Sequence, residues 1–350
     1  MRATLIAAAS ALVGAVLVAN PPVSPWTVAA ALAELGPNSH NPYAPEIAQY
    51  EAAVEREPCD RQSTLHLVAY LREAGAYREA IRRADAFLSR CGDLGELHGE
   101  EYHAYLALSE FKSALAEINK LVALKPYDSI PWAWRGLLHE TTGELEEAIA
   151  DFRQALAVNP RLMDIPINLA NVYERMNRPC DAVNAIEGVL LFYPEARQQD
   201  DIRDRIERLY RVGTCDKPKA GTGQAVIEFP AGAQTAVTRA AINGRAARLV
   251  LDTGAAFVTV SQSFAKKVGI DTGRGTEVLL ATASSLKQGR LTTVKRIELQ
   301  GLRAENVEVV VLDEMPAAVK DGLLGMSFLG RFRLAIDRSA GKVTITTRSR

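Results

Sequence analysis

The stretch Leu249-Val250-Leu251-Asp252-Thr253-Gly254-Ala255 decides how the C-terminal part of the chain is read. Three apolar residues in a row suit a buried strand. The carboxylate after them stands at a tight turn, where glycine can adopt backbone angles closed to other residues. Asp-Thr-Gly alone says little, because it recurs at Asp271-Thr272-Gly273. That copy follows a short helical pattern, Phe264 to Val268, and reads as a loop. The first copy is set apart by a downstream partner, Asp321-Gly322-Leu323-Leu324-Gly325-Met326, in which an apolar pair precedes a glycine and leads into a short helix.

Outward from these motifs the sequence has a period of two. Runs at Ala225–Phe229, Thr235–Ile242, Arg248–Leu251, Val258–Val260, Val307–Leu312 and Lys342–Thr346 alternate with turns, and Asn243-Gly244 is a hairpin signal. The spacing predicts a small, mostly β domain over 224–350. Residues 222–350 contain no histidine and no cysteine. Ser/His/Asp triads, Cys/His pairs and histidine or thiolate metal sites therefore cannot be built there from its own residues, and carboxylates remain as the acid-base groups. Metal binding has little support in this domain, and no cofactor is expected. Asp313, Asp321 and Asp337 sit beside glycine, proline or charged residues and read as turn or surface positions.

Together the two motifs, 71 residues apart, resemble the retropepsin-like aspartic protease family over roughly 224 to 346. The resemblance implies that Asp252 is the catalytic carboxylate, that Thr253 braces the turn against its mate, that Gly254 permits close approach, and that Ala255 completes the motif. Leu323, Leu324 and Gly325 would support the loop. A flap would lie near Leu279 to Leu291, with Thr282, Ala283 and Ser284 reaching over substrate; this segment lacks the Asn-Gly tip of many bacterial relatives. Peptide hydrolysis of this kind needs two carboxylates close enough to share a proton. A domain this small holds one lobe, so the second aspartate is expected from an identical chain in a C2 homodimer. The competing view of Asp252 is a turn-capping aspartate in a fold without activity.

Upstream the period changes to 34: Ala80, Ala114, Ala148 and Ala182 are so spaced, as are Pro126, Pro160 and Pro194. Trp132, Gly136, Gly143, Ala148, Phe152, Ala155 and Pro160 resemble the tetratricopeptide repeat, a helix-turn-helix unit. Leu169, Ala170, Tyr173, Ala182 and Pro194 follow the same pattern, while units near 61–94 and 95–128 are degenerate. Arg197 to Val212, with apolar Ile202, Ile206 and Leu209, reads as a closing helix. The fold class is thus multidomain: an all-α repeat solenoid over 45–213, a linker at 214–223, and the retropepsin-like domain. A repeat stack implies a surface for a protein partner; a spacer or dimerisation platform is the alternative.

Residues 1–33 begin with Arg2 and an uncharged run from Leu5 to Ala19, ended by Pro21, Pro22 and Pro25. This reads as an export signal, or as an uncleaved anchor, since small-residue cleavage patterns appear only near Ala29 to Ala33. In an oxidising compartment, periplasmic or secreted, the four cysteines would pair. Cys59 precedes the first helix of its repeat and Cys91 follows the second; Cys180 opens a second helix and Cys215 follows the closing one. The repeat geometry therefore pairs Cys59 with Cys91 and Cys180 with Cys215, with four free thiols as the alternative.

Charge divides unevenly: residues 1–221 carry 23 basic and 31 acidic side chains, and residues 222–350 carry 18 and 11. The simplest account is mutual attraction or solvation of the two parts, and no nucleic-acid motif accompanies the basic part. The reading is an extracytoplasmic aspartic endopeptidase whose repeats recruit a protein or peptide substrate. A non-enzymatic repeat scaffold with a dimerising or peptide-binding C-terminal domain is the alternative, and a lipid- or wall-associated assembly factor ranks behind both.

Overall fold

The computed structural model describes residues 41–190, 192–215, 223–230, 233, 235–273, 275–281, 286–315, 319 and 321–347. The expected export segment 1–33, most of the linker, and flap residues Thr282, Ala283 and Ser284 lie outside them. No helix among the described residues is long and apolar enough to cross a membrane. The chain divides into two compact units, Met1–Asp151 and Phe152–Arg350.

The first unit contains α1 (Ala44–Arg56), α2 (Arg61–Glu73), α3 (Tyr77–Cys91), α4 (Gly95–Ala107), α5 (Phe111–Leu124), α6 (Ser129–Thr142) and the start of α7 (Leu145–Val158). Local chemistry sets the ends. The Asp60 carboxylate accepts from the N–H groups of Gln62 and Ser63 at 3.2 Å and opens α2; Asp128 opens α6 through the N–H of Ile130. Gly143 ends α6 in the left-handed region, with φ of 88°. The alanines that carry the 34-residue period, Ala80, Ala114 and Ala148, have no exposed surface. They stand where paired helices meet, and a larger side chain there would force the helices apart. Two apolar clusters follow from this pairing, one around Leu67, Phe87 and Leu97, the other around Tyr102, Ile118 and Leu138. Cys59 is bonded to Cys91, tying the start of α2 to the end of α3.

The second unit begins within α7 and continues through α8 (Asp164–Arg175), α9 (Pro179–Val189), a 3-10 turn at Pro194–Gln198 and α10 (Asp200–Gly213). The closing helix thus starts at Asp200, later than the expected Arg197, because Pro194 opens a separate tight turn. Ala182 continues the series of fully buried alanines, and Cys180 is bonded to Cys215.

The β region follows: β1 (Gln224–Glu228), β2 (Ala236–Ile242), β3 (Arg245–Leu251), β4 (Val258–Ser261), α11 (Gln262–Lys267), β5 (Thr276–Ala281), β6 (Leu286–Leu299), β7 (Leu302–Leu312), β8 (Gly322–Leu324), α12 (Met326–Leu329), β9 (Phe332–Asp337) and β10 (Lys342–Thr347). The order in the larger sheet is β2-β3-β8-β4-β7-β6-β5, and an added β2–β6 pairing closes six of these strands on themselves. β1, β10 and β9 form a separate antiparallel sheet. Asn243 and Gly244, with φ of 50° and 80°, make the two-residue turn between β2 and β3. The interior is aliphatic, with Leu249, Val258, Val260, Leu324 and Phe328 among its fully or nearly fully buried residues.

Candidate active site

β3 delivers its last apolar residue, Leu251, to the core and places Asp252 just beyond the strand end. β8 is inserted between β3 and β4: it runs parallel to β3, with Leu249 opposite Gly322 and Leu251 opposite Leu324, and antiparallel to β4, with Thr259 opposite Leu323. The turn is therefore fixed from both sides. Asp252 N–H donates to the Leu324 carbonyl at 3.1 Å, and the Ala255 and Ala256 carbonyls accept from Met326 and Ser327 at 2.8 and 2.9 Å.

Close packing of this crossing depends on two glycines. A Cβ on Gly322 would lie 2.1 Å from the Thr259 carbonyl oxygen, and one on Gly325 would lie 2.1 Å from that of Phe257. Both distances are impossible for a real side chain, which is the physical reason for glycine on either side of Leu323 and Leu324. Gly254 differs from expectation. It is absent from the positive-φ residues, so left-handed freedom is not its role; a Cβ there would stand 3.2 Å from Asp252 Oδ1. Thr253 and Gly254 are exposed, while Asp252 and Ala255 are half-buried.

Within the turn, Asp252 Oδ1 accepts from the N–H groups of Gly254 at 2.9 Å and Ala255 at 3.2 Å. One carboxylate oxygen is thereby oriented by backbone donors, and the other has no hydrogen-bond donor among the described residues. The second motif copy repeats the local bond: Gly273 N–H donates to Asp271 Oδ1 at 2.8 Å. Local turn geometry does not separate the two copies; the inserted strand β8 does. Asp321 accepts from the N–H of Arg248 in β3 at 2.7 Å, tying the start of β8 to that strand, and Asp337 accepts from Ser339 and Ala340 in the β9–β10 turn. Strands β5 and β6 form a hairpin over the segment where a flap is expected, with Ala281 opposite Leu286 at its described end.

Two supporting residues have no signal in the motifs. Ser327 Oγ accepts from Val258 N–H at 2.9 Å and donates to the Glu308 carbonyl at 2.7 Å, joining α12 to the start of β4 and to β7. Arg331 donates to the carbonyls of Glu305, Asn306 and Ser327, and burial pushes its guanidinium below the usual arginine value. Polar residues two and six positions after a Leu-Leu-Gly run were the available clue, but their carbonyl partners are visible only in the fold.

Residues 238–331, from β2 through the Asp252 turn to α12, match the family described as gag-polyprotein putative aspartyl protease. Residues 130–162 match the tetratricopeptide repeat. The chain joins tetratricopeptide repeats to a retropepsin-like domain. Such a domain suggests an aspartic protease. Among curated proteins, general transcription factor 3C polypeptide 3 of Homo sapiens is 25% identical over 109 residues, 31% of this chain. The chain spans 12% of the length of that relative. Among solved structures, MamA is 18% identical, with 43% of this chain and 89% of MamA covered and a TM-score of 0.41. A retropepsin-like aspartic protease from Rickettsia conorii is 21% identical, with 38% of this chain and 96% of that one covered and a TM-score of 0.30.

Proposed function

We propose that this chain is an extracytoplasmic aspartic endopeptidase that acts as a C2 homodimer, each copy contributing Asp252. The observation that carries the proposal is the Asp252 turn itself. It follows strand β3, one carboxylate oxygen is held by the Gly254 and Ala255 N–H groups, and Leu323, Leu324 and Gly325 cross behind it. In the dimer the two carboxylates stand too close for both to ionise, and share a proton. One accepts a proton from a water that attacks the scissile carbonyl; the other, protonated, donates to the carbonyl oxygen. No covalent intermediate forms. The exposed Thr253 braces the paired turns, and residues around Thr282, Ala283 and Ser284 close over substrate.

In this proposal residues 224–350 form the protease domain and the helical repeats over 45–213 recruit the protein substrate. Residues 1–33 export or anchor the chain, and 214–223 link the two parts. The two disulfides support an oxidising compartment, periplasmic or secreted. The test is digestion of a diverse peptide mixture by wild-type protein and Asp252→Asn, across pH of about 4 to 8. Cuts made by wild type alone support the proposal. Identical digests from folded, dimeric proteins would overturn it and leave the repeat scaffold.

A further inference from the structure

We propose that His98, Glu101 and Glu117, in the helical repeats, form a binding site for a divalent transition-metal ion of the zinc class. His98 and Glu101 are three residues apart on α4 and project from one face towards α5, which supplies Glu117. One ligand atom from each residue lies within 4.8 Å of the others. His98 Nδ1 is 2.8 Å from Glu117 Oε2 and 3.5 Å from Glu101 Oε2. Ligand atoms around a tetrahedral zinc ion stand about 3.4 Å apart, given zinc–ligand distances near 2.1 Å. Side-chain shifts on the order of an ångström would therefore seat an ion between the three groups, with a fourth position left for water.

Three further features favour an ion over a closed cluster of side chains. The Glu101 side chain is 2% exposed, yet among the described residues its Oε2 atom has no hydrogen-bond partner, His98 Nδ1 standing 3.5 Å away. A buried carboxylate oxygen left in this way costs free energy that a cation would recover. His98 Nε2 is 2.8 Å from Asp93 Oδ1, so Nε2–H donates outward to a carboxylate and leaves Nδ1 facing Glu101 and Glu117. That outer carboxylate orients a metal-bound imidazole and raises its basicity. Finally, three carboxylates, from Asp93, Glu101 and Glu117, surround this single imidazole. Among the described residues the cation bonded to them is Lys120, 54% exposed, which donates to both Glu117 oxygens at 3.0 Å and would have to give up Oε2 to an ion while keeping Oε1. Mixed imidazole and carboxylate ligation suits zinc better than magnesium or calcium.

The alternative is a closed ion-pair cluster in which a protonated His98 bonds Asp93 and Glu117 and nothing binds. Titration calorimetry with zinc ion and the tag-free, chelator-treated full chain separates the two, using Glu101→Gln as the principal variant. Its shape is conserved, so it tests the site without relying on a residue that also holds helices together. We expect one zinc ion per chain, with affinity reduced at least about tenfold in Glu101→Gln and about tenfold in Asp93→Asn, and no binding of magnesium. Melting temperature should rise with zinc in wild type and not in Glu101→Gln. Equal zinc affinity in wild type and Glu101→Gln, or no zinc binding by wild type, overturns the proposal.

Discussion

The Gln154 side chain and the Leu279 backbone exchange two hydrogen bonds: Gln154 Nε2 donates to the Leu279 carbonyl at 2.8 Å, and Leu279 N–H donates to Gln154 Oε1 at 2.6 Å. β5 is the edge of its sheet, and its outward N–H and C=O groups need partners. The carboxamide of α7 supplies both at one residue, as a neighbouring strand would. Arg153 adds a bond to Thr276 Oγ1 at 2.6 Å, and Ala157 packs with Val278, Leu291 and Phe257. The β5–β6 hairpin is thus held from its outer edge by the helix.

Gln154→Leu keeps the volume and removes both bonds. It should cost about 1 to 3 kcal/mol and speed amide exchange at Leu279 selectively, leaving Leu249 in β3 protected. Hydrogen-exchange mass spectrometry of the β5 and β3 peptides reads this directly. Unchanged exchange in β5 would mean that the side-chain bonds do not limit opening of the edge.

The crossing of β8 behind Asp252 gives a contrast among three glycines. Gly325→Ala and Gly322→Ala each drive a methyl group into a backbone carbonyl, and each should cost at least about 3 kcal/mol; low soluble yield or a collapsed melting transition is expected. Gly254→Ala meets only Asp252 Oδ1, at 3.2 Å. It should fold with a melting temperature near wild type and lose peptide cleavage, because the methyl group displaces the carboxylate and stands on the exposed turn. Wild-type cleavage by Gly254→Ala would show that the turn tolerates bulk where its mate is proposed to approach.

How much of this could be read beforehand depends on where the information lies. The alanines at 80, 114, 148 and 182 were legible because one physical demand, close helix approach, repeats at a fixed interval. The position of Asp252 at a turn after a strand was legible because the apolar run and the turn adjoin in sequence. β8 was not legible as a strand: Gly322-Leu323-Leu324 is too short to show a period and is extended because β3 and β4 flank it. β6 hides its alternation behind Lys287, Arg290, Lys295 and Arg296, and becomes a strand by pairing with β5, β7 and β2. β9 is largely exposed after Phe332, so it lacks an apolar face to announce it. His98, Glu101 and Glu117 meet only because α4 and α5 pack antiparallel.

The disulfides offer a test that separates the two units. Each closes a loop of similar length, with a sequence separation of 32 for Cys59–Cys91 and 35 for Cys180–Cys215. Loss of either should cost about 3 to 4 kcal/mol. Cys59→Ser/Cys91→Ser should lower protection in α2 and α3, and Cys180→Ser/Cys215→Ser in α9 and α10, each leaving the other region near wild type. Melting with and without reductant checks the total effect, and exchange by peptide checks its location. Melting that is insensitive to reductant would show that neither bond contributes.

If each chain contributes one carboxylate, activity must depend on pairing in a defined way. Wild type and Asp252→Asn, mixed in equal amounts and allowed to exchange partners, form the two homodimers and the mixed dimer. A mixed pair has one carboxylate and one carboxamide, which cannot share the proton on which both halves of the reaction depend. With random assortment about one quarter of the dimers are wild type on both sides. Cleavage should therefore fall to about one half of that of an equal total amount of wild type before exchange, when half of the dimers are intact, and to about one quarter after it. The time course of peptide cleavage after mixing measures this, with a mass-tagged subunit reporting exchange. Activity that rises to about three quarters once exchange is complete would mean that one Asp252 per dimer is enough, and activity that stays at about one half would mean that each Asp252 acts by itself; either outcome would require the shared-proton mechanism to be abandoned.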